Sequence, residues 1–247
     1  VHLSSSIGDL TLAAQQSLGE SFLRLVTPEG RLLDPTESLE SAGLQDNDHL
    51  TAIVQQVAVA ATDRAFALWR HGQIVTWGDA QEGGDSEAVQ AQLKRVTQVQ
   101  ATKRAFAALL ENGDVVSWGH PHQGGDSSAV QSQLKNVQQL QATDGAFAAI
   151  LADGKVISWG HPSYGGDSTK EQHLLRNVQR VYAVKAPFEG SFAAILADGR
   201  IVLWGEFKGS IPIPDQMKAV QHIQATKRAV ATILADGSVR TWGTPDS

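Results

Sequence analysis

The chain has 247 residues, 42% hydrophobic and 19% charged, the composition of an ordinary folded protein with room for one or two domains. Twenty Lys and Arg against 26 Asp and Glu leave a net charge of −6, which disfavours attraction to a phosphate backbone, so no nucleic-acid partner is expected. Cysteine is absent, which excludes disulfides, thiolate metal sites and a cysteine nucleophile, and leans towards a cytoplasmic or nuclear setting without assigning one.

Residues 1–54 contain no repeat. Ile7, Leu10, Leu12, Ala13, Ala14 and Leu18 trace a helical stripe, and Ser4 to Ser6 offer N-caps for it. Phe22 to Val26 then alternates, Thr27-Pro28-Glu29-Gly30 reads as a turn, and strands are expected over Arg31 to Leu33 and His49 to Val54. No charged segment followed by an apolar run and a small-residue cleavage site opens the chain, so no signal peptide is read.

From residue 55 onward one pattern repeats. Trp77-Gly78, Trp118-Gly119, Trp159-Gly160, Trp204-Gly205 and Trp242-Gly243 recur at intervals of 41, 41, 45 and 38 residues, the range of solenoids, propellers and arrays. The repeats run over about 57–95, 96–136, 137–177, 178–219 and 220–247. In each, a V-Q-x-x-Q-A-T run precedes an A-F-A-A-I-L-type run and a V-x-x-W-G run, the last two joined by Asn112-Gly113, Asp153-Gly154, Asp198-Gly199 or Asp236-Gly237. Such dipeptides favour type I′ turns, so each copy is expected to be a three-stranded unit. A unit this small is marginal alone and must bury its faces against its neighbours, which the small Ala105, Ala107 and Ala108 suit. The longest apolar runs, such as Ala146 to Ala152, fall far short of the roughly 20 residues of a membrane helix, so the chain reads as soluble with no membrane insertion.

Between copies stands Gly-Gly-Asp-Ser followed by an amphipathic stretch, at 83–94, 124–135 and 165–176. Val130 and Leu134 lie four apart, so a short peripheral helix is expected after each sheet, capped by Asp85, Asp126 and Asp167 or by the following Ser. Residues 206–218, with Pro212 and Pro214, break that pattern and are expected to be an irregular loop.

In a three-stranded unit the loop after the first strand and the loop after Trp-Gly share one end, and this end carries the variation. Its first set includes Arg64, Lys103, Arg104, Lys185, Phe188, Lys227 and Arg228, and its second His120, His122, His161, Tyr164 and Phe207. Constant strands with variable loops are how rigid scaffolds present recognition chemistry, so these residues are the candidate partner-binding set. Charge reversal at Lys103, Arg104, Lys227 and Arg228 is expected to weaken partner capture without unfolding the chain. His120-x-His122 lacks a signalled third ligand, and Gly-Gly-Asp-Ser is neither a phosphate loop nor a calcium loop, so no metal and no cofactor are read. No nucleophile elbow is present. The five Trp of Trp-Gly are read as packing between units, and Trp69 stands outside their register at an aliphatic position.

The repeated small-residue turn, D-G hairpin and W-G ending over 57–247 resemble the repeat of the regulator of chromosome condensation (RCC) family. That resemblance implies a mainly β fold, a propeller of about five blades here against the seven common in the family. The period near 41 looks more like the compact three-stranded blades of a bacterial member, and Ala-Thr at Thr62, Thr102, Thr143 and Thr226 replaces a family glycine. Five units leave open an arc cut from a longer protein, a closed ring, or closure by another chain through open propeller edges. Residues 1–54, with Leu39, Ala42, Gly43 and Leu44 matching a short helical turn, resemble the ubiquitin-like (β-grasp) α+β fold lacking its first strand. There is no exposed double glycine after Val54, so a conjugated tag is not implied; the recognition surface of that fold would map near Val26, Thr51 and Ile53. The function expected is a noncatalytic scaffold for protein partners. The alternatives are the substrate-recognition region of a multidomain ubiquitin ligase, a small-GTPase exchange-factor-like module, and an enzyme or inhibitor using the propeller mouth.

Overall fold

A computed structural model describes residues 5–18, 23–54, 57–70, 72–185, 190–206, 219–225 and 229–243. The chain divides into two units, residues 1–58 and 59–247.

In the first unit, helix α1 (Ile7–Leu18) begins at a reciprocal capping box: Asp9 N donates to Ser6 Oγ at 3.1 Å while Ser6 N donates to Asp9 Oδ2 at 2.9 Å. Strand β1 (Leu23–Val26) pairs antiparallel with β2 (Thr51–Val54), with Val26 opposite Thr51. The strand expected over Arg31 to Leu33 is reduced to a single bridge between Val26 and Leu32. Its pairing ends because Asp34 folds the next residues into a turn, accepting from Thr36 N at 2.8 Å, and Pro35 has no N–H to extend a ladder. Residues 38–44 form a helical turn closed by Gly43 (φ 74°), where Leu44 N donates to Leu39 O. Ile7, Leu25, Leu33, Leu39 and Ala42 make the core of this unit. Beside it lies an apolar groove of about 520 Å³ walled by Leu10, Leu18, Leu44 and Leu50.

The second unit is built from five three-stranded antiparallel sheets, each in chain order from inner to outer strand. They are β3 (Val57–Ala61), β4 (Ala65–Arg70) and β5 (Gln73–Gly78); β6 (Val96–Ala101), β7 (Ala105–Leu110) and β8 (Val115–Gly119); β9 (Val137–Ala142), β10 (Ala146–Leu151) and β11 (Val156–Gly160); β12 (Val178–Lys185), β13 (Gly190–Leu196) and β14 (Ile201–Gly205); β15 (Val220–Ala225), β16 (Ala229–Leu234) and β17 (Val239–Gly243). The inner strands β6, β9, β12 and β15 touch in succession. Gln98 in β6 holds the backbone of the next inner strand bidentately, donating to Leu140 O and accepting from Leu140 N.

Strand alternation assigns each blade two faces. In β7, Ala105, Ala107 and Leu109 turn towards the following blade, while Phe106, Ala108 and Leu110 turn towards the preceding one. One cluster therefore joins each successive pair of blades. The alanines are fully buried and let the sheets approach closely; alanine is a poor strand former, so packing rather than propensity places it there. Full burial of a Phe such as Phe147 contributes about 1.5–3 kcal/mol relative to exposure, so these interfaces carry most of the unit's stability.

The Asx-Gly hairpins of blades two to five are not type I′. The glycines are left-handed (Gly113 φ 81°, Gly154 φ 76°), but Asn112 and Asp153 before them are not. Gly113 N donates to Leu110 O and Leu110 N to Asp114 O, the pattern of a three-residue loop with a type I turn and a glycine bulge. The Asn or Asp instead accepts from the amide two residues on, as Asn112 Oδ1 does from Asp114 N at 3.0 Å. The bulge glycines of blades two to four also clasp the following blade: Val137 N donates to Gly113 O at 2.9 Å and Val178 N to Gly154 O at 2.9 Å. This forces the residue before the receiving strand into the left-handed region, at Asn136, Asn177 and Ala219.

The peripheral helices are also corrected. Among the described residues only α2 (Glu87–Gln90) forms, and the two later connections are turns. Asp85, Asp126 and Asp167 accept from the amide two residues on instead of capping a helix. The Ser then bonds a Gln four residues later, whose amide donates to the outer strand, as in Ser127 Oγ to Gln131 and Gln131 Nε2 to Val115 O at 3.0 Å. The segment is tied to the blade at that point and buries one leucine deeply (Leu134, 0% exposed); the first connection is built alike, with Ser86, Gln90 and Leu93, and there the one turn of α2 forms.

Candidate functional site

The loops between inner and middle strands are strung together at one rim. Asp63 N donates to Lys103 O at 2.8 Å and Lys103 N to Asp144 O at 2.9 Å, so three successive loops are backbone-linked. Each is shaped by a threonine: Thr102 Oγ1 and Thr143 Oγ1 accept from Ala105 N and Ala146 N, and Thr143 Oγ1 donates to Tyr164 O at 2.8 Å. The post-Trp-Gly loops join the same rim, with Asp79 N, His120 N and His161 N donating to Arg64 O, Arg104 O and Gly145 O. Each of these loops is a short 3₁₀ turn, at Ala80–Glu82, Pro121–Gln123 and Pro162–Tyr164.

The cations brought together here are largely answered by carboxylates. Lys103 Nζ lies 2.8 Å from Asp144 Oδ2, and that hydrogen bond raises the Lys103 pKa above its usual value of 10.5 against the opposing effect of burial. Arg104 Nε lies 2.9 Å from Oε1 of Glu82, whose side chain is 5% exposed and whose Oε2 has no hydrogen-bond partner. Arg64, 70% exposed, stands 4.0 Å from Asp79. The described rim is therefore a mosaic of paired charge rather than a basic patch, and Arg104 is as much a structural group as a surface one.

The aromatic and imidazole candidates sit on the 3₁₀ turns. His120 and His122 have ring centroids 6.0 Å apart, with His120 Nδ1 buried and unpartnered, while His122 is exposed. His161 accepts from Ser163 N and meets Tyr164 edge-on at 5.4 Å. Tyr164 covers Gly145, where any Cβ would fall 2.8 Å from its ring; this explains why a glycine stands where the first two blades have Arg64 and Arg104. Among the described residues no group of three His, Cys, Asp or Glu could hold a metal. Phe188, Phe207, Lys227 and Arg228, and the side chains of Lys185 and Trp242, lie outside the described residues.

Three features went unread in the sequence: the buried Glu82, the threonine brackets and an axial cavity. The cavity, about 400 Å³, is lined by the inner strands, with Gln100, Gln141, Tyr182 and Gln224 facing it at equivalent positions. The Tyr182 hydroxyl is buried without a partner, and its ring lies 5.2 Å from that of His222. The recurrence of glutamine in V-Q-x-x-Q-A-T was the available signal.

Successive three-stranded blades, packed face to face with adjoining inner strands, define a β-propeller fold of the RCC1 kind. The chain is similar to Prp20p from Saccharomyces cerevisiae, a protein with binding properties towards Gsp1p and histones, at 17% identity and TM-score 0.51 over 76% of this chain and 57% of that one. It is likewise similar to yeast RCC1 (Prp20) bound to Kap60, at 15% identity and TM-score 0.50 over 90% of this chain and 64% of that one. Human WBSCR16 aligns at 16% identity and TM-score 0.48 over 76% and 62%. The chain thus spans 57–64% of the length of these solved structures. No protein-family model and no curated protein matches the chain. No helix among the described residues is long and apolar enough to cross a membrane.

Proposed function

We propose that the second unit is a noncatalytic protein-interaction scaffold whose variable rim captures a protein partner, and that residues 1–54 form a ubiquitin-like portion docking elsewhere. The observation that carries this reading is substitution at fixed geometry. One rim position holds Arg64, Arg104 and Gly145, and a second holds Glu82, Gln123 and Tyr164, while the threonine brackets and backbone links around them repeat. A frame that stays constant under changing surface chemistry is the design of a recognition rim. The test is affinity capture with the immobilised chain, comparing wild type with Arg64→Glu/Lys103→Glu and with Lys227→Glu/Arg228→Glu. Arg104 is left intact because it covers the buried Glu82. Loss of specific partners with an unchanged melting curve supports the rim; an unchanged capture profile counts against it.

A second reading, a small-GTPase exchange-factor-like module, draws support from the fold likeness to Prp20p, which binds Gsp1p and histones. A nucleotide-release assay with Gsp1p and other small GTPases tests it, and complete inactivity removes it. As the recognition region of a ubiquitin ligase, the chain would rely on catalysis supplied outside it, since it has no cysteine.

A further inference from the structure

The axial cavity of about 400 Å³ has the size of a small-ligand pocket, and among the described residues its lining holds no Asp, Glu, Lys or Arg. Gln100, Gln141 and Gln224 face it from equivalent positions of β6, β9 and β15, and β12 has Tyr182 there. The Tyr182 hydroxyl is enclosed without a hydrogen-bond partner, a cost that a bound donor or acceptor would remove. The backbone extends this polar wall. Along a strand of an antiparallel pair, peptide groups point alternately into the ladder and away from it. Leu140 points away from β10, since its N–H and C=O are both taken by the Gln98 carboxamide, at 3.1 and 3.0 Å. Ala142, two residues further along β9, therefore turns its own N–H and C=O towards the axis, beside the cavity that it lines. Ala101 and Ala183 hold the same register against β7 and β13. Among the described residues, no turn or loop bond takes up the peptide groups of these three alanines, which leaves three strand edges open to a partner.

We propose that this cavity binds a neutral carboxamide or lactam, a group in which an N–H stands beside a C=O. The clasp of Gln98 on Leu140 is the template: a carboxamide donates to the C=O and accepts from the N–H of one inner-strand residue. The same edge recurs at the three alanines, and the glutamine side chains beside it can serve the ligand's remaining donors and acceptors. A carboxylate offers acceptors only, and a ligand of either charge would leave water for a wall with no opposite charge, so neutrality is selected. The juxtaposition of these groups is set by β6, β9, β12 and β15 touching in succession and not by how the ring closes. It uses none of the variable rim side chains and so stands apart from the rim reading.

NMR titration of the full chain, labelled at alanine methyl groups, tests this with two matched pairs of probes. One pair is nicotinamide and nicotinate; the other is the peptides Gly-Gln-Gly and Gly-Glu-Gly, each capped by acetyl and methylamide groups. The amide of a pair is expected to shift the Ala101, Ala142 and Ala183 methyl resonances saturably, and to bind about tenfold or more tightly than its acid. Tighter binding of nicotinamide assigns the site to a free small molecule, and tighter binding of the glutamine peptide to a side chain of a protein. Tyr182→Phe should weaken the amide by about tenfold without lowering the melting temperature, because the hydroxyl gives up no hydrogen bond in the free chain. Gln141→Leu, at a half-buried side chain, should weaken it likewise. Equal binding of amide and acid, methyl shifts confined to residues outside the cavity, an affinity indifferent to both substitutions, or no saturable binding by any probe overturns the proposal.

Discussion

The indole of Trp118 donates a 3.0 Å hydrogen bond to the carbonyl of Gly83, thirty-five residues earlier, and the same bond joins Trp159 to Gly124 and Trp204 to Gly165. It ties the end of one blade to the loop leaving the previous blade. That loop can reach the indole only because Gly83 lies flat on Phe106, the ring stacked on Trp118 at 5.3 Å. Trp, Phe and Gly thus form one interblade joint from three separate pieces of sequence.

Gly83→Ala and Gly124→Ala should each destabilise the second unit by about 3 kcal/mol. A methyl group there falls 2.6 and 2.5 Å from the rings of Phe106 and Phe147, and the backbone is left-handed, with φ of 94° and 96°. Gly237→Ala is the control, since it shares the left-handed backbone (φ 80°) but meets nothing within 4 Å. It should cost only the conformational part, about 1–2 kcal/mol. Urea midpoints compare the three, and equal losses would mean that the ring contact contributes nothing.

Arg104→Ala should cost about 2–4 kcal/mol, far more than a typical surface ion pair, because it strands the carboxylate of Glu82 with both oxygens unpaired. Adding Glu82→Gln should recover most of that loss, since the next copy places Gln123 at the equivalent position beside Gly145, with no arginine. A double-mutant cycle on the unfolding free energy reads the coupling. Additive losses would show that Glu82 is adequately hydrated in the fold.

The blades are legible in the sequence because each carries its own punctuation: a glycine turn, Asx-Gly in the last four copies and His71-Gly72 in the first, alternating small and large residues, and Trp-Gly at the end. The turn geometry is not, because Asn-Gly and Asp-Gly serve both the two-residue and the three-residue hairpin, and only the strand register chooses between them. The connecting segments look helical for the same local reason, while the Ser127–Gln131–Val115 tether that fixes them to the outer strand reaches back 16 residues, beyond a helical pattern. On the rim, sequence brings Arg64, Lys103 and Arg104 into one set, as the fold does. It cannot show that Glu82 neutralises Arg104, since that pair spans two blades and occurs in one copy among those described. In the first unit, Arg31 to Leu33 reads as a strand because it follows the Thr27 to Gly30 turn signal, but Asp34 and Pro35 curtail it to one bridge.

Ala219→Gly should stabilise the protein by about 0.5–1 kcal/mol, an uncommon sign for a change to glycine. Ala219 sits at φ 60°, and its N–H and Cα back directly onto Gly199, so the strained conformation is imposed by the clasp between blades four and five. Relief of that strain exceeds the entropy cost of a new glycine. Asn136→Ala, at φ 53°, should move the melting temperature the other way. If both substitutions lower it, the left-handed residues are tolerated without strain.

Acid should loosen the connecting loops. The Asp126 carboxylate accepts from Ser128 N and Asp167 accepts from the Thr169 hydroxyl and amide, and both are thereby held below their ordinary pKa of 3.8; Asp114 is lowered chiefly by its hydrogen bond from Lys135. A carboxyl group with a lower pKa in the folded than in the unfolded chain stabilises fully above the unfolded value and loses that contribution as pH falls through the folded one. Stability should therefore be flat from neutral pH down to about 5 and decline below about 4. Asp126→Asn keeps an oxygen acceptor for Ser128 N but no longer titrates, so the slope of the urea midpoint against pH in that acid limb should become shallower. An unchanged slope would mean that Asp126 titrates alike in the folded and unfolded chains, and that the turn after Gly-Gly is held by the Ser127–Gln131 tether alone.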